Sequence, residues 1–282
     1  MSLVTLRNGH LTVTISTLGA ELQSILDKSG AERLWQGDPA FWTGRAPILF
    51  PMAGGLKEDC YILDGQRYEM PKHGHVRKLE WRAETASDVS ATFLTTEKHP
   101  GFPFDYELRA RYTLEGSALR VEYIVDNKGD RAFYYGLGAH EAYAAPEGIE
   151  AYEIVFDQEE RLENYVLEGN LIRREPVVLA EHASTLPLKY AYFTVDALVF
   201  PALKSRSVTL QSRLHGRTVQ VAYPGHDVLM LWTKPGAGYI CIEPWLNAPD
   251  FVDHDLQIAN KPGCVRLAPG ESRTHVHTIA IG

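Results

Sequence analysis

Four short stretches join groups that can move protons to neighbours that would keep water away from them. They are Gly44-Arg45-Ala46-Pro47-Ile48-Leu49-Phe50-Pro51, Lys72-His73-Gly74-His75-Val76-Arg77, Gly136-Leu137-Gly138-Ala139-His140-Glu141 and Ile240-Cys241-Ile242-Glu243-Pro244-Trp245. A glutamate at a strand end is by ordinary burial preference a solvated residue. Glu243 differs because it follows Tyr239-Ile240-Cys241-Ile242 and precedes Pro244 and Trp245. Such a setting strips water from a carboxylate, raises its pKa and strengthens it as a base. A lone histidine is more often structural than catalytic, yet His73 and His140 both sit among glycines and small residues, where backbone can approach a ligand closely. A neutral imidazole donates a hydrogen bond and an imidazolium hands over a proton near neutral pH, so two histidines with one glutamate form an acid/base set.

Other constellations point elsewhere or nowhere. His73/His75 and His275/His277 have period two, which on a strand puts both rings on one face with metal-chelating spacing. Gly74 interrupts the first pair, no third ligand is identifiable, and the second pair reads as an exposed face of the last strand; no metal is expected. Asp253-His254-Asp255 reads as a polar loop. Cys60, Cys241 and Cys264 are odd in number and far apart, so free thiols in a reducing compartment are expected rather than a disulfide or a thiolate zinc site. There is no phosphate-binding glycine loop with its lysine and no Gly-x-Ser-x-Gly turn, which removes support for phosphoryl transfer and serine hydrolysis.

The elements that must position these groups are strands. Asn8-Gly9, Asp64-Gly65 and Glu115-Gly116 each separate apolar or alternating runs, the signature of hairpins. Around the third turn, Tyr106, Leu108, Ala110, Tyr112 and Leu114 share one face, and Leu119, Val121, Tyr123 and Val125 share another. Further runs cover residues 91–95, 152–156, 197–200, 207–210, 218–221, 228–232, 239–242 and 276–281. Helical periodicity is nearly absent, with short helical turns expected only near residues 39–42 and 186–190. Many strands without alternating helices predict an all-β antiparallel sandwich, and no linker or repeat divides residues 1–282.

The formal charge of -8 offers nothing to nucleic acid or an anionic membrane. No apolar run reaches the roughly 20 residues of a membrane span, and no secretory signal is evident, so a cytoplasmic location is expected. The sequence leaves monomer and homodimer equally open.

Taken in order, Leu18-Gly19-Ala20-Glu21-Leu22, Leu34-Trp35-Gln36-Gly37-Asp38-Pro39, Ala46 to Pro51 and Leu267 to Ser272 make the chain resemble the aldose 1-epimerase, or galactose mutarotase-like, family along nearly its whole length. The resemblance implies a large antiparallel supersandwich with a sugar cleft on one sheet, and interconversion of sugar anomers without a redox cofactor. It implies Glu243 as the base that takes the anomeric hydroxyl proton, His140 as the acid at the ring oxygen and His73 as the second histidine. Arg45 and Asp196 are implied to grip substrate, with His75 and Trp245 added as substrate contacts. The sequence departs from the family pattern at His75, at Glu141, where proline is usual, and at Asn247, where glycine is common. Glu141 is expected to raise the pKa of a neighbouring histidine by its charge.

Two rivals stand beside this expectation. A mutarotase for hexose 6-phosphates would draw on Lys72, Arg77, Lys78 or Lys204 to clamp a phosphate. A non-catalytic carbohydrate-binding protein would use Trp35, Trp42 or Trp245 as stacking platforms, but would have no need of a matched base and acid. Loops 56–60, 144–148 and 223–227 are the candidates for setting selectivity.

Overall fold

Alternation dominates the chain as the sequence predicts: the computed structural model describes residues 1–282 and contains twenty-two strands and five 3₁₀ turns, with no α-helix. The long hairpin Tyr106–Glu115/Ala118–Asn127 is in full register from Tyr106↔Asn127 to Glu115↔Ala118. It lies inside a nine-stranded antiparallel sheet whose central strand is the last one, Ser272–Ile281.

A second antiparallel sheet has the order Glu141–Ala144, Tyr239–Trp245, Val228–Trp232, Leu198–Phe200. Its pleat sorts side chains to two destinations. Tyr143, Ile240, Ile242, Leu229 and Leu231 enter one continuous core with Tyr112, Val121, Tyr123 and Ile279 of the large sheet. Tyr239, Cys241, Glu243 and Trp245 alternate with these residues and so leave from the other face, where Cys241 and Tyr239 pack with Trp42 and Trp232. The sandwich therefore has a dry interior and a separate, aromatic-lined outer face on the smaller sheet.

The helical expectations are corrected. Residues 39–42 form a turn in which Asp38 accepts from the backbone N–H of Phe41 and Trp42, without continuing as a helix. Residues 177–187 are a strand, and the 3₁₀ turn lies slightly later, at Tyr190–Phe193. A second correction concerns the terminal histidines. Because the last strand lies inside the large sheet, His277 is completely buried and His275 half-buried, its Nε2 lying 2.7 Å from the Tyr135 hydroxyl. His277 Nε2 instead meets Glu141 Oε1 at 2.9 Å across the core. The histidine beside the Glu141 carboxylate is thus His277 rather than His140.

His73 and Gly74 both have a φ of 68°. A Cβ on Gly74 would fall 1.9 Å from the carbonyl oxygen of Phe50, in backbone that cannot swing aside. Gly74→Ala is expected to destabilise the protein by about 3 kcal/mol or more. Gly65→Ala, which shares the positive φ but meets nothing within 4 Å, is expected to cost about 1 kcal/mol. Urea unfolding midpoints of the two variants test the contrast.

Candidate active site

The strand Tyr239–Trp245 is paired on both edges, so every one of its residues is buried. Glu243 faces Met230 across one edge and is 1% exposed. On the other edge Ala139 donates its N–H to the Pro244 carbonyl at 3.1 Å, which brings the following His140 alongside. Its Nε2 stands 3.4 Å from Glu243 Oε2. Neither Glu243 Oε2 nor His140 Nδ1 has a hydrogen-bond partner within the protein. Trp42 stacks on the His140 ring at 5.0 Å, and Trp232 meets it edge-on at 5.8 Å. The small residues before His140 serve packing rather than ligand approach: a Cβ on Gly138 would lie 2.4 Å from the Trp245 ring.

His73 arrives from a different part of the chain. Its N–H donates to Gly54 O at 3.0 Å, and its Nδ1 accepts from Gly54 N–H at 3.1 Å. An Nδ1 that accepts carries no proton, so the neutral ring holds its hydrogen on Nε2 as a donor. Trp245, whose Nε1 is fixed on Ala139 O at 3.0 Å, stands edge-on to His73 at 5.5 Å.

Burial governs the protonation of all three groups. Desolvation, reinforced by the nearby Glu141 charge, pushes the Glu243 carboxyl well above its ordinary value. Desolvation pulls His140 down to about 3 and His73 well below the usual imidazole range, with the other cationic groups of the cleft adding to both. Each group is therefore driven toward its uncharged form.

The three groups share a cleft of about 290 Å³ that is also lined by Trp42, Lys72, Arg77, Asp196, Asn170 and Trp232. Asp196 accepts from Ala197 N–H at 2.9 Å through one oxygen. Trp245 belongs to the same wall. Two expected contacts are not there. The Arg45 guanidinium is turned away and satisfied by Gln23 Oε1 at 2.8 Å, Gln23 O at 3.1 Å and Gln36 O at 3.0 Å. His75 is buried with Nε2 3.1 Å from Glu97 O, its ring stacked on His99 at 5.1 Å. Sequence reasoning missed Asn170 and Trp232, which have no local pattern to mark them. Of the four basic residues weighed for a phosphate, only Lys72 and Arg77 line the cleft.

A larger cavity of about 500 Å³ lies against Leu203, Phe251 and Lys261. Its buried charges, Lys261 and Asp250, neutralise each other at 2.5 Å.

Asn247 acts as a clamp, donating to Ala53 O at 2.8 Å and Ala248 O at 3.0 Å.

Comparison with known proteins agrees with the fold. The chain is 34% identical to the plasmid-encoded protein LacX of Lactococcus lactis subsp. lactis, over 99% of both chains. A galactose mutarotase related enzyme from Lactobacillus acidophilus superimposes with a TM-score of 0.92 at 27% identity, covering 100% of this chain and 97% of that one. A galactose mutarotase-like protein from Lactobacillus casei gives 0.92 at 26% identity, with both chains fully covered. Residues 2–280 match the family described as aldose 1-epimerase. With fold and sequence in agreement over nearly the whole length, the chain belongs to the aldose 1-epimerase family.

Proposed function

We propose that the protein is a mutarotase that interconverts the α and β anomers of an aldose. The observation that carries this reading is the 3.4 Å approach of His140 Nε2 to Glu243 Oε2 in a cleft shared with a neutral histidine donor. Opening a pyranose requires a base for the O1–H proton and an acid for O5 in the same step. Glu243 takes the O1 proton while His140 delivers one to O5. The C1–O5 bond breaks and C1 becomes the aldehyde carbon, which rotates and recloses on its other face. On closure the aldehyde oxygen takes a proton back from Glu243, and His140 recovers one from the O5 hydroxyl. His73 Nε2–H steadies oxygen charge during opening, and no redox cofactor takes part. The cleft volume, at the lower end of small-molecule sites, suits one monosaccharide ring. Asp196, Trp245 and Arg77 are proposed as substrate contacts, Arg77 taking the place expected for Arg45. Three free thiols fit a cytosolic, reducing location.

A second reading, mutarotation of hexose 6-phosphates, is favoured by Lys72 and Arg77 on the cleft wall. Anomer interconversion followed by polarimetry or NMR over free and 6-phosphorylated aldoses separates the two. Under either reading Glu243→Gln is expected to lower the rate by about 10²–10⁴ while sugar binding persists. Sugar binding without any acceleration by the wild-type protein would instead establish a non-catalytic binder.

The active pair carries one proton in total, so it loses activity on gaining a second or on losing the first. Free groups would confine activity between 4.5 and 6.5. Burial exchanges the roles of the two groups: His140, lowered to about 3, sets the acid limit, and Glu243, raised well above 4.5, sets the alkaline one. The expected kcat/KM profile therefore shows no decline on acidification through 6.5; it falls on the acid side only near 3 and on the alkaline side at the raised carboxyl value. A half-loss centred near 6.5 on the acid side would contradict this assignment.

Arg77→Ala is expected to raise KM by about tenfold or more, the loss of a charged hydrogen bond to substrate. Arg45→Ala is expected to leave KM unchanged and lower the unfolding midpoint. Steady-state kinetics on both variants decides which arginine meets the sugar.

A further inference from the structure

Cys241 is two residues before Glu243 on the same strand, so the pleat sends both side chains to the same face. Its thiol, a ring nitrogen of His140 and a carboxylate oxygen of Glu243 lie within 4.8 Å of one another, and all three residues are buried. One of them presents a buried polar atom with nothing to bond to, Glu243 Oε2, in a residue 1% exposed. The proton-transfer mechanism gives no role to the thiol.

The geometry fits a tetrahedral cation. Zinc bonded to nitrogen and oxygen at about 2.05 Å sets those two atoms about 3.4 Å apart, and its longer sulfur bond sets nitrogen and sulfur about 3.6 Å apart. The observed His140 Nε2 to Glu243 Oε2 separation is 3.4 Å. One edge of the tetrahedron is thus already formed, and the sulfur has to close by at most about an ångström. A thiolate, imidazole and carboxylate set suits zinc, cobalt(II) or copper and offers little to magnesium or calcium, which prefer oxygen donors. The spacing of the three cysteines in sequence gives no such site, because the partners of Cys241 are a histidine and a glutamate supplied by the fold.

We propose that His140, Cys241 and Glu243 form a binding site for a zinc-class divalent cation, with the fourth position open to the cleft, and that occupancy switches the acid/base pair off. On binding, the thiol and the His140–Glu243 pair each lose one proton to solvent, and bonds form to the metal from the thiolate sulfur, the imidazole and the carboxylate; no group changes oxidation state. With both proton-transfer groups held as ligands, neither can exchange a proton with sugar. The binding stands independently of the mutarotase reading, whereas the inhibition rests on it.

Titration of the metal-free, full-length protein with Co²⁺ tests the site. The expected result is one equivalent bound with the intense visible bands of tetrahedral cobalt and a thiolate-to-cobalt charge-transfer band in the near ultraviolet, both removed by Zn²⁺. Cys241→Ala and Cys241→Ser are expected to lose the charge-transfer band and to bind Co²⁺ at least about tenfold more weakly, while a Cys60→Ala, Cys264→Ala double variant keeps both. Where an aldose is accelerated, Zn²⁺ is expected to inhibit the wild type and to leave the Cys241 variants, active without metal, largely unaffected. A wild-type spectrum without the charge-transfer band, or a band that survives in both Cys241 variants, overturns the site. Stoichiometric zinc binding with an unchanged rate overturns the switch. If no aldose is accelerated, the mutarotase reading fails and the cobalt spectra still decide the binding.

Discussion

Placing a carboxyl group on the central strand of a sheet and sealing it from water is the constraint around which the rest of the site is arranged. A charge buried alone would cost several kcal/mol. The protein lowers that cost by keeping the proton close at hand: His140 stands 3.4 Å away, so the pair can hold a proton on either partner. Flanking aromatic rings fix the geometry without offering competing hydrogen bonds, since Trp42 stacks on His140 and the Trp245 indole N–H is committed to Ala139 O. Strands buried and paired on both edges hold such groups more rigidly than loops do, which reduces the reorganisation needed during proton transfer.

The same strand geometry forces a second compromise. His140 points to the cleft, so its neighbour Glu141 must point into the core. A buried carboxylate there needs a donor, and His277 of the opposite sheet supplies it at 2.9 Å. The pair ties the catalytic sheet to the large sheet at the position next to His140. Removing only one member would strand the other in the interior, at a cost of about 3–5 kcal/mol. Glu141 also lies close enough to Glu243 for its charge to contribute to the raised carboxyl pKa. Glu141 therefore acts on the site from behind, through the sheet.

The parts legible in the sequence were those encoded by local alternation. The Tyr106–Glu115/Ala118–Asn127 hairpin follows directly from period two and a glycine turn, and the strand Val228–Trp232 from a short continuous apolar run. Glu243 stood out because its apolar neighbours imply burial whatever the tertiary arrangement. Arg45 was misplaced because a sequence position fixes neither rotamer nor partner: Gln23 and Gln36 are closer to its guanidinium than the cleft is. His275 and His277 looked exposed because alternation gives two faces without saying which one is covered. The expected opposite partner of Glu141 could have been sought among distant histidines, since a carboxylate beside a cleft-facing His140 had to be satisfied inside. Asn170 and Trp232 reach the cleft only through long-range folding, and nothing in their flanking residues announces it.

The positive φ of His73 belongs to the same logic. A residue in left-handed backbone costs of order 1–3 kcal/mol and persists only where its surroundings over-determine it. Here two hydrogen bonds to Gly54, one through the backbone N–H and one through Nδ1, fix both the main chain and the ring. The second bond also selects the tautomer, so the strained turn presents Nε2–H as a donor and keeps the ring from serving as a competing base. Position, orientation and protonation of one histidine are thus set by a single glycine opposite it.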